Sequence, residues 1–171
     1  MKRRRFSLFK TAKIEDVEFI FSLEKALFRE GVRSTKNSVI RSIKSPTQSV
    51  VILEIDSVQI GSYTLFNYEK SIRIYSIGVK EEFQGKGYGK LMMNHILDIA
   101  EKEHKNIVLE ADINNLSLIS FYENFDFERK QILPDYYGLG QNGIKMARDS
   151  GNQTNLIKNL VVVDKSIPWL N

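Results

Sequence analysis

Three glycines at one-residue intervals, Gly85, Gly87 and Gly89, stand in the run Gln84-Gly85-Lys86-Gly87-Tyr88-Gly89-Lys90. Glycine lets a backbone turn sharply, and where such a turn opens a helix the amides can converge on one centre and form a nest for an anion. The same spacing also suits an ordinary strand-to-helix turn. Known nucleotide motifs do not fit. A Rossmann GxGxxG starting at Gly85 needs glycine where Lys90 stands, one starting at Gly87 needs it where Met92 stands, and a P-loop needs Ser or Thr where Leu91 follows Gly89-Lys90. The chain has no cysteine, which removes disulfides, thiolate metal sites and a cysteine nucleophile together. Its two histidines, His95 and His104, are nine residues apart; on one predicted helix that is about 180° around the axis, so they do not share a metal. No Gly-x-Ser-x-Gly elbow occurs. Carboxylates and phenols remain. Read from their neighbours alone, Glu110 is an exposed residue at a strand end and Tyr122, among Leu118, Ile119 and Phe121, is a core residue. Tyr136 and Tyr137 stand before Gly138, Gly140 and Gly143, and read from their neighbours alone they pack in a loop.

The elements that position these residues alternate along the chain. Residues 5–10 read as a short strand. Thr11 offers an N-cap before Ile14, Val17, Ile20, Phe21, Leu23, Ala26 and Leu27, an apolar set at helical spacing that runs to Phe28. Residues 31–37 form a loop and 38–45 a second helix that stops before Pro46. Segments 50–55, 59–66 and 71–79 are rich in β-branched and aromatic residues and are joined tightly, which predicts an antiparallel meander. After the glycine run, Leu91, Met92, Ile96, Ile99 and Ala100 predict a helix to about Glu103. A strand at 107–111, a helix at 116–125 and strands at 127–133 and 144–148 complete the order β-α-α-β-β-β-α-β-α-β-β. This is an α/β chain with a mixed sheet flanked by helices.

With 171 residues, 42% hydrophobic and 27% charged, the chain has the size and composition of one soluble domain with its own core. Residues 1–148 hold the alternating pattern, and 149–171 read as a C-terminal extension packed on the domain or on a second subunit, so a monomer or a homodimer is expected. Net charge is +4. Lys2, Arg3, Arg4 and Arg5 account for it, because the remaining 21 Lys and Arg equal the 21 Asp and Glu. That cluster reads as a solvated terminus, with contact to nucleic acid the less favoured reading. No run reaches membrane-span length, no apolar segment follows the basic cluster as a secretory signal requires, and a cytoplasmic protein is expected.

The segment 79–92 resembles the acetyl-CoA signature of the GNAT superfamily of N-acetyltransferases: Gln or Arg, two residues, Gly, one residue, Gly or Ala, met here by Gln84, Gly87 and Gly89. A second block, 109–127, is similar to the family's segment with an Asn, a Tyr seven residues on and the Phe of a Gly-Phe pair five further, met by Asn115, Tyr122 and Phe127. Leu118 departs from the usual small residue and Asp126 from the usual Gly, although Asp tolerates the left-handed backbone better than most. Within the superfamily the likeness is to ribosomal-protein alanine N-acetyltransferases and related protein N-terminal enzymes, through Leu109-Glu110, Tyr122, Tyr136-Tyr137 and Ile144-Lys145-Met146.

The resemblance implies a GNAT-like, mostly antiparallel sheet and acetyl-CoA as co-substrate, with no metal. It implies Glu110 as general base, directly or through water, and Tyr122 as the acid that protonates the departing thiolate. It places the cofactor on the backbone at Ile77 and Val79, on the loop residues Gln84, Gly85, Lys86, Gly87, Tyr88, Gly89 and Lys90, and on Asn115 and Tyr122. Lys86 and Lys90 either add charge there or are merely solvated, and Asn115 binds pantetheine, caps its helix, or both. The acceptor site falls at Phe28, Tyr136 and Tyr137. Without a cysteine to carry acetyl, the amine attacks directly in a ternary complex. The expected acceptor is a protein or peptide α-amine or lysine; a polyamine or other small amine is the variant within the class. A non-catalytic CoA-binding regulatory or nucleic-acid-associated module is the rival outside it.

Overall fold

Four consecutive strands zip together at the start of the sheet because their connections are too short for anything but hairpins or a helical return over one face. The computed structural model describes residues 7–151. Strands β1 (Ser7–Thr11), β2 (Gln48–Ile55), β3 (Val58–Asn67) and β4 (Ser71–Val79) pair antiparallel in that order. Helices α1 (Val17–Leu27) and α2 (Lys36–Lys44) lie between β1 and β2. Helix α3 (Tyr88–Lys102) then carries the chain to β5 (Asn106–Asp112), which pairs parallel to β4. After α4 (Leu116–Glu123), the hairpin of β6 (Glu128–Leu133) and β7 (Gly143–Arg148) adds antiparallel to β5 through β7. The sheet order is β1-β2-β3-β4-β5-β7-β6. The element order and the mostly antiparallel sheet are those expected from the sequence.

The boundaries differ where tertiary pairing overrides a local signal. Thr11 is not a helix cap: it ends β1 opposite Val51, and Ala12 N–H continues the ladder to the Val50 carbonyl at 2.8 Å. Helix α1 starts six residues later, after one 3-10 turn (Ile14–Asp16) in which Asp16 accepts from Lys13 N–H at 2.9 Å. Helix α2 starts earlier than expected because Thr35 caps it, its side chain accepting from Ser38 N–H at 3.1 Å. His104 is not on α3 but past its end, in a left-handed conformation (φ 53°). Arg5, the Lys2–Arg5 cluster and residues 152–171 of the extension lie outside the described residues.

The main core lies between the sheet and α3, whose stripe Met92, Met93, Ile96, Leu97 and Ala100 meets Ile60, Leu65, Ile72, Ile107, Leu109 and Met146. A smaller cluster of Val17, Ile20, Val39, Val50 and Ile52 seats α1 and α2 near β2. Burial of this kind supplies roughly 25 cal/mol per Å² of apolar surface. Helix α1 comes so close to β4 that a Cβ at Gly78 would collide with Leu27 Cδ1.

One irregularity decides where a site forms. Across β3 and β4, Thr64 faces Ser76 but Leu65 faces Ile74, so Tyr75 is an extra, bulged residue. A bulge bends its strand and increases the local twist. Pairing between β4 and β5 covers only Ser71–Ile74 with Asn106–Leu109, while β5 stays paired to β7 as far as Asp112. Beyond Ile74 the two strands part.

Candidate active site

The parting leaves the β5-facing edge of β4 without a partner strand, and an open strand edge presents backbone groups to a ligand. A cavity of about 820 Å³ opens there, lined by both strands, the segment after α1, the start of α4 and the β6–β7 loop. Of the residues singled out from the sequence, it gathers Phe28, Ile77, Glu110, Asn115, Tyr122, Tyr136 and Tyr137.

Glu110 reaches the cavity from β5 and is ion-paired: Arg73 Nε on β4 donates to its Oε2 at 2.8 Å. Arg73 Nη2 also donates to the Tyr136 hydroxyl at 2.9 Å, so one guanidinium joins β4, β5 and the β6–β7 loop. That guanidinium lies 5.8 and 5.7 Å from the ring centres of Phe66 and Tyr75, which stack on each other. Tyr137 packs edge-on to Tyr136, and its carbonyl accepts from Arg29 Nη2 at 3.3 Å. Burial, with Tyr136 and Glu110 beside it, pushes the Tyr137 phenol up to about 12.

Tyr122 is set by the build of α4. Asn115 Oδ1 accepts from Leu118 N–H at 3.1 Å and caps the helix. At the other end Asp126 takes the left-handed conformation (φ 64°), and Phe127 N–H returns to the Tyr122 carbonyl at 3.3 Å. The turn buries Phe125 and Phe127 and fixes Tyr122, only 5% exposed, against Phe121 and Phe127. Burial holds its phenol proton well above the ordinary tyrosine range.

The glycine run lies outside the lining of this cavity. Gly85 (φ 71°) and Gly87 (φ 86°) are left-handed with open space where a side chain would stand, and Gly87 is the N-cap of α3. The amides of Gly89 and Lys90 lie in the first turn of α3, where the helix itself offers them no acceptor. Gln84 Nε2 donates to the Val79 carbonyl at 2.9 Å and ties the run to the end of β4, while Val79 buries its side chain in the core. Lys86 and Lys90 are exposed, and Lys86 Nζ donates to the Glu82 carbonyl at 2.6 Å. The run approaches the site through α4: a Cβ at Gly89 would stand 3.9 Å from Phe121. This helix start and the parted strand edge suit the phosphates and the extended arm of a CoA thioester.

Arg73 and Glu24 are among the charged residues of the cavity that escaped the sequence reading. Arg73 is 37 positions from Glu110, and nothing local marks the pair. Glu24 did leave a signal, a carboxylate on the buried stripe of α1 beside Ile20 and Leu23. It is 6% exposed, its Oε2 accepts from Ser34 N–H at 3.0 Å, and its Oε1 accepts from the Ser76 hydroxyl. Among the described residues no group of three or more His, Cys, Asp or Glu is arranged to hold a metal, and no helix is long and apolar enough to cross a membrane.

A mostly antiparallel sheet that opens between its one parallel pair, next to a glycine-turned helix start, is the architecture of a GNAT acetyltransferase. The Acetyltransferase (GNAT) family matches residues 14–127, and the chain belongs to it. It is 37% identical over 71 residues to N-alpha-acetyltransferase 50 of Danio rerio, a match that spans 40% of this chain and 42% of that protein. The fold is shared with the ribosomal-protein-S18-alanine N-acetyltransferase of Escherichia coli, at TM-score 0.75 and 17% identity over 84% of this chain and 94% of that one. It is shared equally with a chimera of the spermidine N-acetyltransferase SpeG of Vibrio cholerae and hSSAT, at TM-score 0.74 and 21% identity over 84% and 95%.

Proposed function

We propose that this protein is an acetyl-CoA-dependent N-acetyltransferase acting on the α-amine of a protein or peptide. The observation that carries the reading is the parting of β4 and β5, which brings a carboxylate (Glu110), a buried phenol (Tyr122) and an open strand edge to one cavity in a chain of this family.

Bound acetyl-CoA supplies an electrophilic thioester carbonyl and a thiolate leaving group. The amides that head α3, with Gly85 and Gly87, hold its phosphates, and Asn115 steadies its arm as it enters the gap. Backbone amides at Ile77 and Val79 take the negative charge that develops on the carbonyl oxygen. Glu110 takes a proton from the amine, directly or through water, as the new N–C bond forms. Tyr122 gives its proton to sulfur as the C–S bond breaks, and is reprotonated from solvent. No cysteine is present to carry acetyl, so the amine attacks the thioester directly.

Phe28, Tyr136 and Tyr137 line the acceptor end. An α-amine, with pKa near 8 against about 10.4 for lysine, needs less help to shed its proton. The Danio rerio relative is named for the same α-amine chemistry. The reading is tested by free-CoA release from acetyl-CoA with peptides whose α-amine is free or blocked, with and without lysine, beside a polyamine series. Turnover that requires the free α-amine supports it, and turnover confined to polyamines overturns it.

A further inference from the structure

Of the three carboxylates in the cavity, two are accounted for by their surroundings. Glu110 faces Arg73. Asp112 accepts from Asn114 N–H at 2.9 Å at the approach to α4, where the helix end favours negative charge. Glu24 is different. It is the most deeply buried of the three, both of its oxygens are held by uncharged donors, and among the described residues no Lys, Arg or His pairs with it.

A buried carboxylate with no counter-cation is costly to keep and is found where a charged ligand completes it. Each oxygen of Glu24 accepts one hydrogen bond from the chain, which leaves one acceptor position free on each. Its two anchors also fix where it stands. Ser34 lies in the α1–α2 connection that borders the acceptor end, and Ser76 lies on β4 one residue before Ile77. The carboxylate thus sits between the acceptor entrance and the strand edge at which acetyl transfer takes place in the reading above.

We propose that Glu24 is the anionic receptor for the acceptor's ammonium group: it binds the incoming amine in its charged form and holds the nitrogen in the cavity before the proton is lost. The assignment rests on the N-acetyltransferase reading. It divides the work between two carboxylates: Glu24 captures the cation, the ammonium passes its first proton to solvent, and the Arg73-held Glu110 takes the second as the N–C bond forms.

Glu24→Gln removes the charge and keeps the shape. Its amide oxygen still accepts from Ser34 N–H, and its amide group donates to the Ser76 hydroxyl, which reverses its role. The experiment compares two peptides identical except at the amino terminus, one with an α-amine and one with an aminooxy group that is uncharged at neutral pH. In Glu24→Gln, kcat/KM for the α-amino peptide falls by about ten-fold or more, carried by KM, whereas the aminooxy peptide changes by less than about two-fold. Acetyl-CoA affinity, unchanged within about two-fold, reports that the variant is folded. An equal fall for both peptides marks Glu24 as only a brace between Ser34 and Ser76, and no fall for either removes it from the site; both overturn the proposal. Titration of the two peptides into CoA-loaded protein reads the contact without turnover. If the wild type acetylates nothing, the transfer reading fails, and selective loss of α-amino peptide binding in Glu24→Gln still supports the receptor while equal binding overturns it.

Discussion

Burial disfavours the Tyr122 phenolate, so the phenol is protonated at neutral pH, the form that the proposed acid role needs. In that role Tyr122→Phe lowers kcat by about ten-fold or more and leaves acetyl-CoA binding intact. Steady-state kinetics beside a CoA titration check this, and unchanged kcat removes Tyr122 from the acid role. Arg73 stands on the acceptor side of the proposed reaction. Its guanidinium compensates Glu110, whose side chain is 14% exposed, and also holds the Tyr136 hydroxyl. Arg73→Met strands that carboxylate, with an expected loss of roughly 1–3 kcal/mol in urea denaturation and a higher acceptor KM. A variant as stable as the wild type would show that solvent already screens the pair.

At the scale of elements, the cleft depends on close approach between α1 and β4. Gly78→Ala sets a methyl against the end of the Leu27 side chain, which must turn aside at a cost of about 1 kcal/mol; thermal melting reads the effect. Asp126 holds the turn after α4 at φ 64°. Asp126→Gly relieves that conformation and raises stability by up to about 1 kcal/mol without moving Tyr122. These elements were legible in unequal measure. Among the described residues, composition, turn residues and helical periodicity together located the strands and α-helices. Ends slipped where a distant partner decided them: β1 runs on to Thr11 because β2 offers Val51, and α2 begins early because Thr35 caps it. The second motif block foretold the Asn115 cap position and the Asp126 turn. Composition and periodicity did not mark the parting of β4 and β5, since the bulge at Tyr75 shows only in the register against β3; the family resemblance alone pointed to a strand that splays at Ile77–Val79. For the same reason the Arg73–Glu110 pair had no signal in the order of residues, whereas Glu24 broke an apolar stripe and could have been marked.

The molecule buries Tyr63 and Tyr122 and half-buries Tyr137, and desolvation raises all three phenols above the ordinary 10.0, Tyr137 to about 12. In the pH range between the unfolded and folded values the native state binds more protons than the unfolded chain. The stability linked to these groups is therefore complete below pH 10 and is lost as pH rises through the folded-state values. Melting temperature should fall above pH 10, with tyrosinate absorbance from these residues appearing together with unfolding rather than before it; early tyrosinate absorbance at unchanged melting temperature would mean the phenols are more exposed than their burial indicates. The same molecule has one cavity that joins the parted strands to the acceptor loops, and the account stands on what is acetylated there. The most direct measurement is mass spectrometry of a peptide with a free α-amine and an internal lysine, incubated with the protein and acetyl-CoA in the presence of spermidine. The account predicts acetyl on the α-amine, with lysine and spermidine unmodified; acetyl found only on spermidine or only on the lysine side chain would contradict it.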